Sequence, residues 1–187
     1  MNKLILTDCD GVLLNWEFSF NRWMEENGYP LLIEGEYKVS KSFGITREEG
    51  KVLIKQFNES AAIGFLPPLR DAIHYVKKLH EEKGYIFRVI TSLSLNPYAQ
   101  RLREYNLKTL FGSAIDQVIC LDTGADKDTA LAPYKGSGLF WVEDKPENAE
   151  LGVKLGLNSI LMGHAHNIDN TNIPIAKNWK DIYERLL

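Results

Sequence analysis

From Leu69 to Met162, short apolar runs alternate with stretches of helical spacing, and this rhythm narrows the possible folds more than any other feature of the chain. Parallel strands need a crossover long enough to return to the same edge of the sheet, usually a helix, so a repeated strand–helix rhythm predicts a parallel sheet. The expected strands are Tyr85 to Ile90, running out at Thr91-Ser92, then Gln117 to Leu121, Leu139 to Val142 and Asn158 to Met162. Between them, Leu69, Ile73, Val76 and Leu79 mark one helix face ending before Gly84, and Asn96-Pro97 caps a helix through Tyr105. A brief helix is expected after the polar loop Asp122 to Asp128; Pro146 opens another to about Leu155, and Asn178 caps an amphipathic C-terminal helix. An earlier apolar run begins at Leu4 and stops on Asp8 and Asp10. The predicted class is α/β, a parallel sheet flanked by helices, and 187 residues at 44% hydrophobic can bury one core and a small second lobe.

Residues 16–66 interrupt the rhythm. Trp16, Phe20, Trp23 and Met24 fall at helical spacing until Gly28 and Pro30 supply a stop, and the segment from Leu31 to Phe43 reads as irregular. Thr46-Arg-Glu-Glu49 is a capping-box pattern opening a helix to about Asn58, and Gly64-Phe-Leu-Pro-Pro68 breaks the chain again. The organisation expected is an α/β core from residues 1–15 and 67–187 with a small helical insertion at 16–66 after the first strand. The insertion's aromatics read first as a small hydrophobic core, with Trp16, Phe18 and Phe20 also placed to line a pocket beside the first strand.

The strand ends carry the chemistry. Asp8 and Asp10 end the first strand, Thr91 the second, and Glu143 with Asp144 the strand of Leu139 to Val142. In a parallel sheet these ends share one edge, so residues distant in sequence meet in one crevice. Alternation along the strand predicts that Asp8 and Asp10 face one spot and Cys9 the other side. Two like charges that close need a cation or a shared proton, and carboxylates from two strands offer the hard oxygen ligands Mg²⁺ prefers. The Thr91 hydroxyl and the Lys127 ammonium suit the remaining oxygens of a phosphate; Lys135 competes for that place, and Ser92 substitutes for Thr91 if the strand runs one residue further.

Other chemistries are disfavoured. A formal net charge of −3 gives no electrostatic footprint for a nucleic acid polymer. Walker A is absent, and Gly136-Ser-Gly138 precedes a strand instead of following one, so a dinucleotide fingerprint fails on context. Cys9 and Cys120 end apolar runs, which fits reduced thiols in a cytoplasmic protein; no apolar run reaches membrane-spanning length, and Met1 through Leu6 is too short for a signal-peptide core. His164 and His166 form an alternating pair that can hold a transition metal but reads first as ordinary loop histidines.

Taken together these residues resemble the haloacid dehalogenase (HAD) superfamily. Asp8-Cys-Asp-Gly-Val is similar to its first motif, Val-Ile-Thr91 to its second, Lys127 to its third, and Val-Glu-Asp144 with Lys-Pro-Glu-Asn to its fourth, in family order, with the helical insertion where a type 1 cap sits. The resemblance implies a Rossmann-like core and catalysis by Asp8, Asp10, Thr91 and Lys127 through an aspartyl-phosphate. Asp8 is then the nucleophile, and Asp10 the acid that protonates the leaving oxygen and afterwards activates water. It also implies Mg²⁺ held by Asp8, the backbone carbonyl of Asp10, and Asp144, with Glu143 a ligand through water or a support for the loop. Thr91 and Lys127, with Gly11 and Ser92, would contact the substrate. Superfamily members that cleave carbon–halogen bonds lack the second acid, so Asp10 points to a phosphatase.

A finer resemblance runs through Pro97-Tyr98, Phe111-Gly112, Asp126-Lys127, Glu143-Asp144, His164-Ala-His-Asn167 and Asn178-Trp179-Lys180, which look like the branch of 5'-nucleotidases acting on deoxyribonucleotides. The segment between Lys127 and Glu143 is longer than that branch usually shows. The expected partner is a small phosphorylated substrate, a (deoxy)nucleoside monophosphate among the candidates, with no membrane and no nucleic acid polymer. A phosphotransferase sharing the intermediate and a non-catalytic binding module on the same fold are the alternatives.

Overall fold

The computed structural model describes residues 3–169 and 171–186. Six parallel strands form one sheet: β1 (Leu4–Thr7), β2 (Ile86–Ser92), β3 (Ile115–Leu121), β4 (Phe140–Glu143), β5 (Asn158–Met162) and β6 (Ile175–Ala176). Their order is β3-β2-β1-β4-β5-β6, so the chain builds outward from β1 to β3 and returns to place β4 on β1's other side. Every residue of β1 is buried, as a central strand covered on both faces requires. Register pairs Thr7 with both Val89 and Val142, which sets the carboxyl ends of β1, β2 and β4 side by side.

The helices are α1 (Trp16–Glu26), α2 (Val39–Ser42), α3 (Arg47–Asn58), α4 (Ala72–Lys83), α5 (Pro97–Phe111), α6 (Asp128–Leu131), α7 (Pro146–Lys154) and α8 (Trp179–Arg185). Their ends follow local chemistry. Gly84 closes α4 in the left-handed conformation, Asn96 accepts the Tyr98 amide at the start of α5, and Asn178 accepts the Asp181 amide at the start of α8. Helix α5 runs past Tyr105 to Phe111 because Leu107 and Phe111 continue its buried stripe. A single turn, α2, forms in the stretch read as irregular, and the two-residue β6 adds a strand that the sequence pattern did not announce.

Residues 16–66 carry α1, α2 and α3, joined by irregular chain, and lie between β1 and α4. Phe20, Phe43 and Phe57 pack in one continuous apolar cluster with Ile5, Phe87 and Val89 of the sheet. Phe20 meets Phe57 and Phe43 edge-on at 5.4 and 6.0 Å, while Trp16 stacks on Phe20 at 4.5 Å. Phe18, by contrast, is 52% exposed and faces away from the pocket it was expected to line. Half of the capping box forms: Thr46 accepts the Glu49 amide, whereas the Glu49 carboxylate accepts the Tyr29 hydroxyl at 3.2 Å.

Candidate active site

Strand connections from β1 and β4 leave toward opposite sides of the sheet, and an open α/β sheet gapes at such a reversal. Asp8 directly follows β1, Glu143 ends β4 and Asp144 comes next. The Asp8 amide still donates to the Val142 carbonyl at 2.8 Å, after which the chain turns, the Cys9 carbonyl accepting from Leu13 and Leu14. Asp8 and Asp10 both border the cavity and Cys9 does not, as alternation predicts, although a turn and not a continued strand places them. The strand ends at Thr7, and Cys9 and Asp10 both reach the same guanidinium, that of Arg103.

Around Asp8 the charges are dense and buried. Lys127 Nζ lies 2.7 Å from Asp8 Oδ1 and 2.9 Å from Glu143 Oε2, and all three residues are buried. Glu143 spends its other oxygen on the amides of Asp144 and Lys145, at 3.0 and 3.1 Å. Burial and the neighbouring Glu143 push the Asp8 carboxyl well above the usual carboxylate range, against the pull of Lys127. Burial likewise raises Glu143, and burial with the nearby Asp8 charge pushes Asp144 up to about 7. Burial opposes the Lys127 charge, but Asp8 and Glu143 outweigh it and hold the ammonium protonated. Lys135, its rival in sequence, lies exposed.

One ligand atom each from Asp8, Glu143 and Asp144 lie within 4.8 Å of one another. These hard oxygen donors, crowded and mutually repelling, fit Mg²⁺. Asp8 and Asp144 are the better placed, because Glu143 has both oxygens engaged. The Asp10 carboxylate is committed elsewhere, so any contribution of Asp10 to a metal is left to its backbone carbonyl. Gly11 explains itself here. It sits at φ +71°, and a Cβ in its place would lie 2.2 Å from Asp144 Oδ2, so only glycine lets that carboxylate close over the turn.

The Thr91 side chain is 1% exposed, and its Oγ1 finds no hydrogen-bond partner among the described residues, although it borders the cavity above the acids. Buried hydroxyls are usually satisfied, so an orphan of this kind suits a ligand oxygen. Ser92 Oγ instead donates to the Ala125 carbonyl at 2.8 Å. The cavity measures about 850 Å³ and is lined by Asp8, Asp10, Thr91 and Lys127 together with Trp16 and Phe20 of the helical insert.

Arg103 escaped sequence reasoning, whereas His164 and Asn167 were singled out without the supporting role they have here. Arg103, 0% exposed, grips both oxygens of Asp10. Asn167 donates to the carbonyls of Asp144 and Met162 and accepts the His164 amide, pinning the loop after β5 to the site. His164 Nε2 donates to the Gly11 carbonyl at 2.7 Å, while Nδ1 receives Arg70 at 3.4 Å; both ring nitrogens are occupied, and burial keeps the imidazole below its ordinary pKa. The run His164-Ala-His-Asn167 after β5 was the available signal for this support.

No protein-family profile matches the chain. An uncharacterized 32.4 kDa protein from the Gp30-rIII intergenic region of Enterobacteria phage T4 is 27% identical, over all of this chain and 70% of its own length. Among solved structures, the L-2-haloacid dehalogenase PA0810 aligns over the whole of both chains with a TM-score of 0.62 at 12% identity. CbbY from Rhodobacter sphaeroides, in complex with phosphate, aligns over 96% of this chain and 95% of its own with a TM-score of 0.61 at 16% identity. D,D-heptose 1,7-bisphosphate phosphatase from B. bronchiseptica, complexed with magnesium and phosphate, covers 98% and 97% with a TM-score of 0.58 at 12% identity. The likeness to these solved structures establishes a shared Rossmann-like α/β fold.

Proposed function

We propose that this protein is a Mg²⁺-dependent phosphomonoesterase working through a phosphorylated Asp8, on a small metabolite for which a (deoxy)nucleoside monophosphate is the first candidate. The observation that carries this reading is the surround of Asp8: Lys127 on one oxygen, Asp144 beside it, and the unpartnered Thr91 hydroxyl bordering the same cavity. With Lys127 holding Oδ1, Oδ2 attacks phosphorus; the P–O bond to the leaving alcohol breaks as Asp10 supplies its proton. Water then gives a proton to Asp10 and its oxygen to phosphorus, releasing phosphate and restoring the Asp8 carboxylate. Asp8 and Asp144 would hold Mg²⁺, which when bound neutralises charge on the transferring group. Lys127 and Thr91 bind phosphate oxygens, and the insert acts as a cap whose Trp16 and Phe20 shield the site from water. The presence of Asp10 favours phosphoryl over haloacid chemistry. No helix among the described residues is long and apolar enough to cross a membrane.

The test is phosphate release from a panel of deoxyribonucleoside monophosphates and sugar phosphates, with Mg²⁺ and with chelator. Chelator-sensitive release supports the reading and ranks the substrates. Release of chloride from 2-chloropropionate with silence on every phosphoester would overturn it.

A further inference from the structure

Helix α5 carries a buried stripe of Ala99, Arg103, Asn106, Leu107 and Phe111. Three of these five residues are apolar, and the buried arginine at the second position is costly without a partner. Arg103 has one. Nη2 donates to Asp10 Oδ2 at 3.1 Å, Nη1 to Asp10 Oδ1, and Nη1 also lies 2.8 Å from Cys9 Sγ. Burial works against the guanidinium's charge, yet Asp10 and Cys9 outweigh it and the net shift favours the charged form. Being 0% exposed and absent from the cavity wall, Arg103 cannot touch a substrate. Its fork fixes the plane of the Asp10 carboxylate, whose side chain is 24% exposed toward the cavity. Three residues on, Asn106 exchanges two hydrogen bonds with the backbone of Leu66, where the insert rejoins the core, at 3.1 and 3.2 Å.

Resting on the phosphomonoesterase reading, we infer that Arg103 is the positioning residue for the second acid: it holds the Asp10 carboxylate where proton transfer to the leaving oxygen takes place. A lysine there would keep the charge and lose the fork, since an ammonium cannot grip both oxygens in one plane.

The experiment compares first-turnover rates on two esters, phenyl phosphate, whose leaving oxygen needs a proton, and 2,4-dinitrophenyl phosphate, whose leaving group departs as the anion. Both are measured on wild type, Arg103→Lys, Arg103→Met and Asp10→Asn, each checked for fold by circular dichroism. Expected is a loss of about 100-fold on phenyl phosphate in both Arg103 variants, with less than about threefold on the dinitrophenyl ester. Asp10→Asn should give the same split, and Asp10→Asn with Arg103→Lys no more than Asp10→Asn alone. If Arg103→Met fails to fold, Arg103→Lys decides. Equal losses on both esters in an active, folded variant, or no loss on either, would overturn the assignment and leave the phosphatase reading standing. Wild type inert on both esters and on the metabolite panel would overturn both.

Discussion

Asp8 and Asp10 are separated by one residue yet live in opposite surroundings. Asp8 is buried among like charges, Glu143 and Asp144, and held by Lys127 through a single oxygen. Asp10 adds its charge to the field felt by Asp8 and Asp144, yet is itself held through both oxygens by the planar fork of Arg103. A lysine is a compact charge on a flexible stem, whereas a guanidinium imposes a geometry. The contrast teaches how one side-chain type divides into two roles. The crowded acid keeps an oxygen for attack and needs a cation nearby; the gripped acid is aimed, and its value lies in direction.

The largest effect expected from breaking this contrast is at Asp8. Asp8→Asn keeps the shape and removes the nucleophile, so turnover should fall by on the order of 10⁵-fold or more while circular dichroism is unchanged. Retained phosphate release in that variant would sink the covalent route. Asp10→Asn should slow turnover by roughly 10²- to 10⁴-fold while calorimetry finds Mg²⁺ affinity close to wild type, because no carboxylate ligand is lost. A loss of Mg²⁺ binding as large as in Asp144→Asn would erase the division between the two aspartates.

Gly11, between the two regions, sharpens the contrast by stability. Gly11→Ala places a methyl group against Asp144 at a positive φ, and thermal unfolding should report a loss of about 2–4 kcal/mol. An unchanged melting temperature would mean that the turn tolerates what its geometry forbids. The smallest effect is one of pH. Mg²⁺ takes the ionised form of Asp144, whose carboxyl is pushed up to about 7, so affinity is full above that value and declines as pH falls through it. Asp8, the second ligand, is raised as well, so at least one proton competes with the metal, which predicts a loss of about tenfold or more per pH unit below 7 in a calorimetric titration. A flat profile between pH 5 and 7, on the order of two units, would contradict it.

Legibility in the sequence followed what each residue's neighbours in the chain reveal. The strands announced themselves as apolar runs, and their polar ends placed Asp8, Thr91, Glu143 and Asp144 along one edge, because a parallel sheet brings strand ends together whatever its order. The order itself was not readable, and neither was β6, two residues after a long loop. Arg103 was hidden for a physical reason. In Arg101-Leu-Arg-Glu104 it looks like one charge of a solvated face, and only the helix's rotation against the sheet turns it inward while Arg101 stays exposed. Glu143 was read as a candidate ligand from its place on the strand; the structure adds that its oxygens already serve Lys127 and two backbone amides. The insert's helices were visible from their caps and aromatic spacing, but not which aromatic faced outward: Phe18 does, and Phe20 does not.

The composition of the acid cluster also sets how its two ligands speak to one another. Asp8, Glu143 and Asp144, when ionised, bring three negative charges against the single positive charge of Lys127. A divalent cation matches the remaining two, while a phosphate dianion arriving alone would double them. Cation and phosphoester are therefore linked ligands: each should raise the other's affinity by the same factor, and saturation with either one prepares the pocket for its counterpart.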